Sequence, residues 1–407
     1  MKHITYILLL VFMILGCTKA KMEHTSDNSP ISLTTAQESF VAGQVIVLKF
    51  EAAKTKGPLL MITNALGTSI IEPILNEGGI EFHIPYQFTQ KAGLCKWQLV
   101  RNEKIELFGK LHIHPGSVDS RNIETYLGPR SITAGDTDFT MLVVAPTDRF
   151  DNPLVDGTPV TVKQQFEGRI AEEDIKINNL MAWTNIGAPQ KSGRILATAS
   201  VANNYSKELT TMVYPANATD FSIDYQRDHS YADGNQTISF STSNITDQYG
   251  NKVSDGTLVT FMVKNWTGAL LQTTGTTIDG VAKAQLLHPS QKDTWTITAF
   301  ITGAAKSSSI AVNFESAVTD YQVSYDNDKR SITVGPIKSF MGQQIPDGLD
   351  IQISIYNAQN MLLETKHTTS KHGFGEFFLS PDYFLKGKYR VEVETAGINQ
   401  SQTLEIQ

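Results

Sequence analysis

The sequence predicts an all-β chain of four tandem β-sandwiches, and three observations carry that expectation. Its 407 residues exceed one ordinary domain. Threonine, serine, valine and isoleucine are abundant and only 18% of residues are charged, a profile that suits strands, where branched side chains pack on a pleated surface. The chain also repeats itself. RSITAG stands at Arg130–Gly135 and RSITVG at Arg330–Gly335, with SFVAG at Ser39–Gly43 and SYADG at Ser230–Gly234. The pattern Ser-x-x-x-Gly thus begins at 39, 131, 230 and 331, a period of about one hundred residues.

The N-terminus reads MKHITYILLLVFMILGCTKAK. Lys2 and His3 supply positive charge, and Ile4–Leu15 is an apolar run of about a dozen residues, a signal-peptide length too short for an ordinary spanning helix. Ile14-Leu15-Gly16-Cys17 resembles a bacterial lipobox, in which the small residue admits the peptidase and the cysteine thiol accepts a diacylglyceryl group. Residues 1–16 are therefore expected to be a lipoprotein signal peptide, and 17–30 a lipidated Cys17 with a polar tether. Two or more acyl chains anchor a protein firmly. Thr18-Lys19 is not the aspartate signal associated with inner-membrane retention, so the outer membrane is expected, on either its periplasmic or its cell-surface face.

Four sandwiches follow in order, at 31–115, 116–217, 218–316 and 317–407. In the first, Cys95, Trp97 and Leu99 alternate with Lys96 and Gln98, which puts Cys95 on the buried face of a strand as a small apolar residue. In the second and third, TDRFDNPLVDGTPVTV (Thr147–Val162) matches TDQYGNKVSDGTLVTF (Thr246–Phe261) without a gap, with a shorter echo at Ile345–Ile353. Trp295, Ile297 and Ala299 share one strand face; in the fourth, Tyr389, Val391 and Val393 oppose Arg390, Glu392 and Glu394. One dry face and one wet face per strand require two sheets packed together. Pro153, Pro159, Pro215 and Pro289 fall at turns or strand ends, where no ladder needs their missing N–H.

The stretch TDQYGNKVSDGTLVTFMV, followed by DGVAKAQLLHPSQKDTWTITAFI and SSSIAVNF, resembles the bacterial immunoglobulin-like group-one domains of invasins and intimins. The third module fits that pattern well and the second in part, since Asp151 stands where the motif has glycine. The first and fourth fit as generic sandwiches, similar also to macroglobulin-type domains. The resemblance implies Ig-like folding, hence four tandem Ig-like β-sandwiches after a lipoprotein signal peptide, and an adhesive or spacer role without chemistry.

Candidate sites are weighed against plainer uses of the same residues. Asp148, Asp151, Asn152 and Asp156, with Asp247, Asn251 and Asp255 in the repeat, are oxygen-rich enough for calcium, yet the spacing fits Asx-type turns better. His112 and His114 share a strand face without an evident third ligand, and His367 and His372 are isolated, so no metal is expected. Trp97 and Trp295 are core by pattern. Trp183 and Trp266 lie nearer loops; core or interdomain packing is the first expectation, and contact with a sugar or protein partner the second.

The net charge of −7 argues against broad nucleic-acid binding. G-x-S-x-G, H-E-x-x-H, P-loop and dinucleotide-glycine motifs are absent, so no enzyme or cofactor is expected. The leading functional expectation is a lipid-anchored adhesin or stalk that meets the membrane through its anchor and a protein or glycan through its modules. A periplasm-facing scaffold of a secretion, motility or outer-membrane complex is the alternative. A carbohydrate-binding accessory of a polysaccharide enzyme system is the lesser one.

Overall fold

A computed structural model describes residues 30–51, 57–77 and 79–407. The expected signal peptide, Cys17 and the expected tether up to residue 29 lie outside the described residues. Strands dominate the described residues, and burial alternates along them as two-layer packing demands: in Phe139–Asp148 every second residue, from Thr140 through Leu142 and Val144 to Asp148, is buried. The described residues form two compact units, those up to 128 with 141–185 and 196–210 in one, and 129–140, 186–195 and 211–407 in the other.

In the first unit, one sheet orders Ser39–Val41, Lys104–His114, Gly93–Arg101, Leu59–Asn64 and Gly67–Ile71. It packs on a second sheet of Ser32–Leu33, Val47–Glu51, Gly79–His83 and Ile74–Asn76. Phe50 sits at the centre, with the rings of Phe82 and Trp97 edge-on to it at 5.7 and 5.6 Å. Cys95 and Trp97 are buried there, as their alternation predicts. The same unit holds the ladder between Val118–Gly128 and Phe139–Asp148 and the hairpin Pro159–Phe166 with Arg169–Lys176.

In the second unit, one core is drawn from Phe221 to Phe314 and another from Val318 to Ile406. Around the first of these, the strand Leu270–Ile278 pairs with Leu258–Lys264 and then, at its end, with Val281–Leu287, so that a single strand turns the corner between sheets. Gly275 permits the turn, because a β-carbon there would lie 2.1 Å from the Lys283 carbonyl oxygen. The second of these cores includes Tyr321, whose hydroxyl donates to the carbonyls of Val393 at 2.6 Å and Ile398 at 3.1 Å.

The repeated hexapeptide has two uses. Ser39–Val41 and Ser131–Thr133 each lie parallel to the last long strand of their own sandwich, and Tyr231–Ala232 does the same against Ile310–Ser316. Ser331–Val334 instead runs antiparallel between Val323–Asp326 and Gly375–Phe378. RSITVG is therefore a different strand from RSITAG, although Gly135 and Gly335 keep nearly the same left-handed φ of 132° and 133°. Six residues thus fix a local bend, while the partner strand is chosen by the rest of the module.

Candidate functional site: the joints between modules

The glycine of the first three copies closes each sandwich. Gly43, Gly135 and Gly234 donate their N–H groups to the carbonyls of Thr89, Pro189 and Pro289, tying the short parallel strand to a turn about fifty residues on. That turn is the seat of the following module. Asn152 reaches back to the first such turn: its Nδ2 donates to the Gln90 carbonyl at 2.7 Å and its Oδ1 accepts the Ala92 N–H at 2.9 Å. Asn251 repeats the grip on the second, donating to the Gln190 carbonyl at 2.8 Å and accepting the Ser192 N–H at 2.9 Å.

An aspartate holds each asparagine. Asp148 is fully buried and accepts from the N–H groups of Phe150 (2.8 Å) and Asn152 (3.0 Å) on Oδ1, and from Gly116 (2.8 Å) and Asn152 Nδ2 (2.9 Å) on Oδ2. Asp247 has the same set: Tyr249 and Asn251 on Oδ1, both 2.9 Å, and Ala216 and Asn251 Nδ2 on Oδ2, both 2.8 Å. Gly116 and Ala216 are the linker residues entering each module. One carboxylate thus binds linker, turn and asparagine, and the asparagine binds the preceding module. Burial pushes both carboxyls up; the four N–H donors outweigh it and hold each below the ordinary aspartate value.

This assigns the aspartate clusters to joint chemistry. Both oxygens of each carboxylate face N–H dipoles, which a calcium ion would meet with the wrong sign. Asp151 occupies the motif's glycine position because that residue is left-handed, with φ of 59° at Asp151 and 81° at Gly250, and aspartate tolerates the conformation. The residue just before it in each turn completes the contact. The Phe150 ring lies where a β-carbon on Gly43 would be, 2.6 Å away, and the Tyr249 hydroxyl stands 3.0 Å from the corresponding point on Gly135.

The third joint is built otherwise. Ser339 and Gln343 stand in place of aspartate and asparagine, keep the same backbone bridge at 2.7 Å, and leave the buried Ser339 hydroxyl without a partner. Here Phe340 stacks on Tyr231, ring centroids 3.4 Å apart and planes at 15°. Two histidines position that tyrosine by its peptide groups. Its N–H donates to His229 Nδ1 at 3.1 Å, and its carbonyl meets His288 Nδ1 at 2.9 Å. Asp233 stands between them, 3.5 Å from His229 Nε2 and 3.7 Å from His288 Nδ1.

A ligand atom from each of these three side chains falls within 4.8 Å of the other two. The protons decide against reading them as a metal site. His229 Nδ1 takes an N–H, so its proton sits on Nε2, the nitrogen that faces Asp233. His288 faces a carbonyl with Nδ1, so that nitrogen carries its proton. Neither nitrogen offers a lone pair to a cation between them. Sequence reading missed this cluster because His229 and His288 are far apart along the chain. The signal was the glycine-to-turn tie: His288 directly precedes the turn that Gly234 bonds, as Ala188 precedes the one bonded by Gly135.

The other predicted residues are placed as follows. His112 and His114 are exposed on one face of their strand and do not join the ligand group just described. His367 stands 3.7 Å from Asp350, and His372 takes a left-handed turn position. Trp295 is core, its indole N–H bonded to Asp293 at 3.0 Å. Trp183 and Trp266 are 58% and 67% exposed, which corrects the first expectation that they pack in a core or between domains. Trp183 falls on the outward register of Ala182–Gly187, while Trp266 rides a turn whose amide is held by the Asp293 carboxylate at 3.1 Å.

Known structures resemble this chain in fold. FdeC, a broadly conserved Escherichia coli adhesin, superposes with a TM-score of 0.50 at 13% identity, over 70% of this chain and 96% of that one. The fold is that of tandem Ig-like modules. Invasin, a bacterial integrin-binding protein, matches 93% of this chain and 79% of its own at a TM-score of 0.47 and 13% identity. InvD of Yersinia pseudotuberculosis matches 70% and 96% at 0.45 and 13%. At such identities the likeness speaks for the fold alone. No family model matches the chain, and no curated protein does. Within the Ig-like modules, the Asp–Asn joint is the feature this chain builds twice from its own sequence repeat.

Proposed function

We propose that this chain is a non-catalytic, lipid-anchored protein of the cell envelope, an adhesin-like stalk whose modules carry a binding surface away from an outer membrane to a protein or glycan partner. The observation that supports it most is the Asp–Asn clamp used at two successive joints. A buried carboxylate satisfied by four donors is costly to break, and spending one at each of two joints suits a chain that must keep neighbouring modules in fixed relation. The exposed rings of Trp183 and Trp266 are the contacts proposed for the partner, since an aromatic face can stack on sugar or fill a protein pocket.

The anchor is tested by metabolic labelling with palmitate. Label on the wild-type chain and none on Cys17→Ser supports it; a mature chain without acyl groups removes the membrane part of the proposal. Protease added to intact cells tests the direction: release of modules two to four supports a surface stalk, and full protection turns the reading to a periplasmic scaffold. Trp183→Ala and Trp266→Ala are expected to change stability by less than about 0.5 kcal/mol, because surface positions rarely do more, while lowering capture of the partner from intact envelopes by crosslinking. Unchanged capture would remove the tryptophans from the contact.

A further inference from the structure

We infer that the joint between the third and fourth modules is an acid-sensitive hinge, closed while His229 and His288 are neutral and loosened when they take up protons. The inference rests on which atom of each imidazole is already in use. Tyr231 is held on both sides of its backbone, by His229 Nδ1 as acceptor and by His288 Nδ1 as donor, and its ring carries Phe340 of the fourth module.

Protonation costs each contact something different. A proton on His229 can go only to Nδ1, since Nε2 already holds one; the Tyr231 N–H then points at another N–H and the bond is lost. A proton on His288 goes to Nε2. That atom is buried and has no acceptor, so a charged donor is created with nowhere to place its hydrogen bond. Both events work against the conformation of Tyr231 that presents its ring to Phe340.

Asp233 faces both imidazoles and attracts a proton on His288, but its Oδ1 is engaged by the N–H groups of Asn235 and Gln236. Arg227, bonded to the Asn313 carbonyl and lying over Phe314, repels a proton on His288, as does His229. Strand Ile310–Ser316 presents Phe314 to His288 at 4.9 Å, and the fourth module presents Phe340 to His229 at 6.4 Å, both uncharged. For His288, burial pushes the imidazole below the ordinary histidine value of 6.5; the Tyr231 carbonyl and Asp233 oppose this, and His229 and Arg227 add to it. Below 6.5 the unfolded chain therefore binds a proton that the closed joint refuses, and the stability of the joint falls as pH falls through that range.

The test is hydrogen–deuterium exchange on the intact chain at pH 7.5 and 5.5, corrected for intrinsic exchange. Segments 229–236 and 337–345 are expected to exchange faster at the lower pH, on the order of threefold or more, while 247–251 at the second joint is unchanged. His229→Asn with His288→Asn keeps an acceptor and a donor near the two Nδ1 positions and cannot titrate; this variant is expected to hold both segments protected at both pH values. Equal protection of the wild-type chain at the two pH values overturns the inference, as does an acid response that survives in the double variant. Added zinc that protects these segments in the wild type at pH 7.5, and not in the variant, also overturns it by making the cluster a metal site.

Discussion

The joints at Asp148 and Asp247 and the joint at Ser339 use the same backbone turn for opposite chemistries. In the first two, a buried carboxylate gathers N–H groups from the entering linker and from its own turn, and those bonds hold it below the ordinary aspartate value. In the third, serine and glutamine remove the carboxylate, two stacked rings make the contact, and histidines orient one of the rings. The difference teaches that the turn supplies position while the side chains choose the conditions under which the joint holds. Hydrogen bonds to a buried charge fail when that charge is neutralised, and ring stacking fails when its supports move.

The sharpest way to break the comparison is to remove a clamp. Asp247→Ala takes the acceptor from four N–H donors, two buried and two part-buried, and is expected to cost about 3 kcal/mol, read as lost exchange protection at the Ala216 and Ser192 amides; Asp148→Ala should do the same at Gly116 and Ala92. A smaller loss than that of Phe340→Ala would reverse the ranking of the joints. Gly43→Ala comes next, at about 2 kcal/mol, since its φ of 82° is left-handed and the new methyl meets the Phe150 ring. Phe340→Ala removes the stack and should cost about 1 kcal/mol, confined to the third joint.

Acid sharpens the contrast further. Asp148 and Asp247 are held below the ordinary aspartate value of 3.8, so the clamps contribute fully above it and lose that stability only as pH falls further. A titration followed by exchange should therefore open the third joint first and the clamps last; clamps that yield between pH 7 and 5 would refute the assignment of their carboxylates. His229→Asn with His288→Asn at neutral pH keeps an acceptor and a donor near the two Nδ1 positions but shortens the buried His288 ring, so it is expected to cost about 1 kcal/mol, confined to the third joint and equal at pH 7.5 and 5.5.

Much of this was legible from the chain. Alternation in Gly93–Arg101 and Asp293–Ile301 placed Cys95, Trp97 and Trp295 inside, because a pleated strand has only two faces. The Asp-x-x-x-Asn spacing read correctly as turn chemistry, since the bonds from Asp148 Oδ1 to the amides of Phe150 and Asn152 are local. Its second half was not legible. The bonds from Asn152 to Gln90 and Ala92 and from Asn251 to Gln190 and Ser192 span about sixty residues, and nothing near the asparagine announces them. Trp183 and Trp266 were read inward and lie outward, because hydrophobic residue type alone does not fix a face where the alternation is weak.

The sequence by itself determined the strands, their dry faces, the period of the modules and the turns that begin each joint, since all of these follow from interactions among neighbours along the chain. Tertiary structure alone decided that RSITAG and RSITVG take different partners, that glycine and asparagine meet across a joint, and that two distant histidines hold one tyrosine. The physical reason is range: backbone propensity and side-chain alternation act over a few residues, whereas pairing, burial of charge and the position of a proton depend on what the folded chain brings alongside.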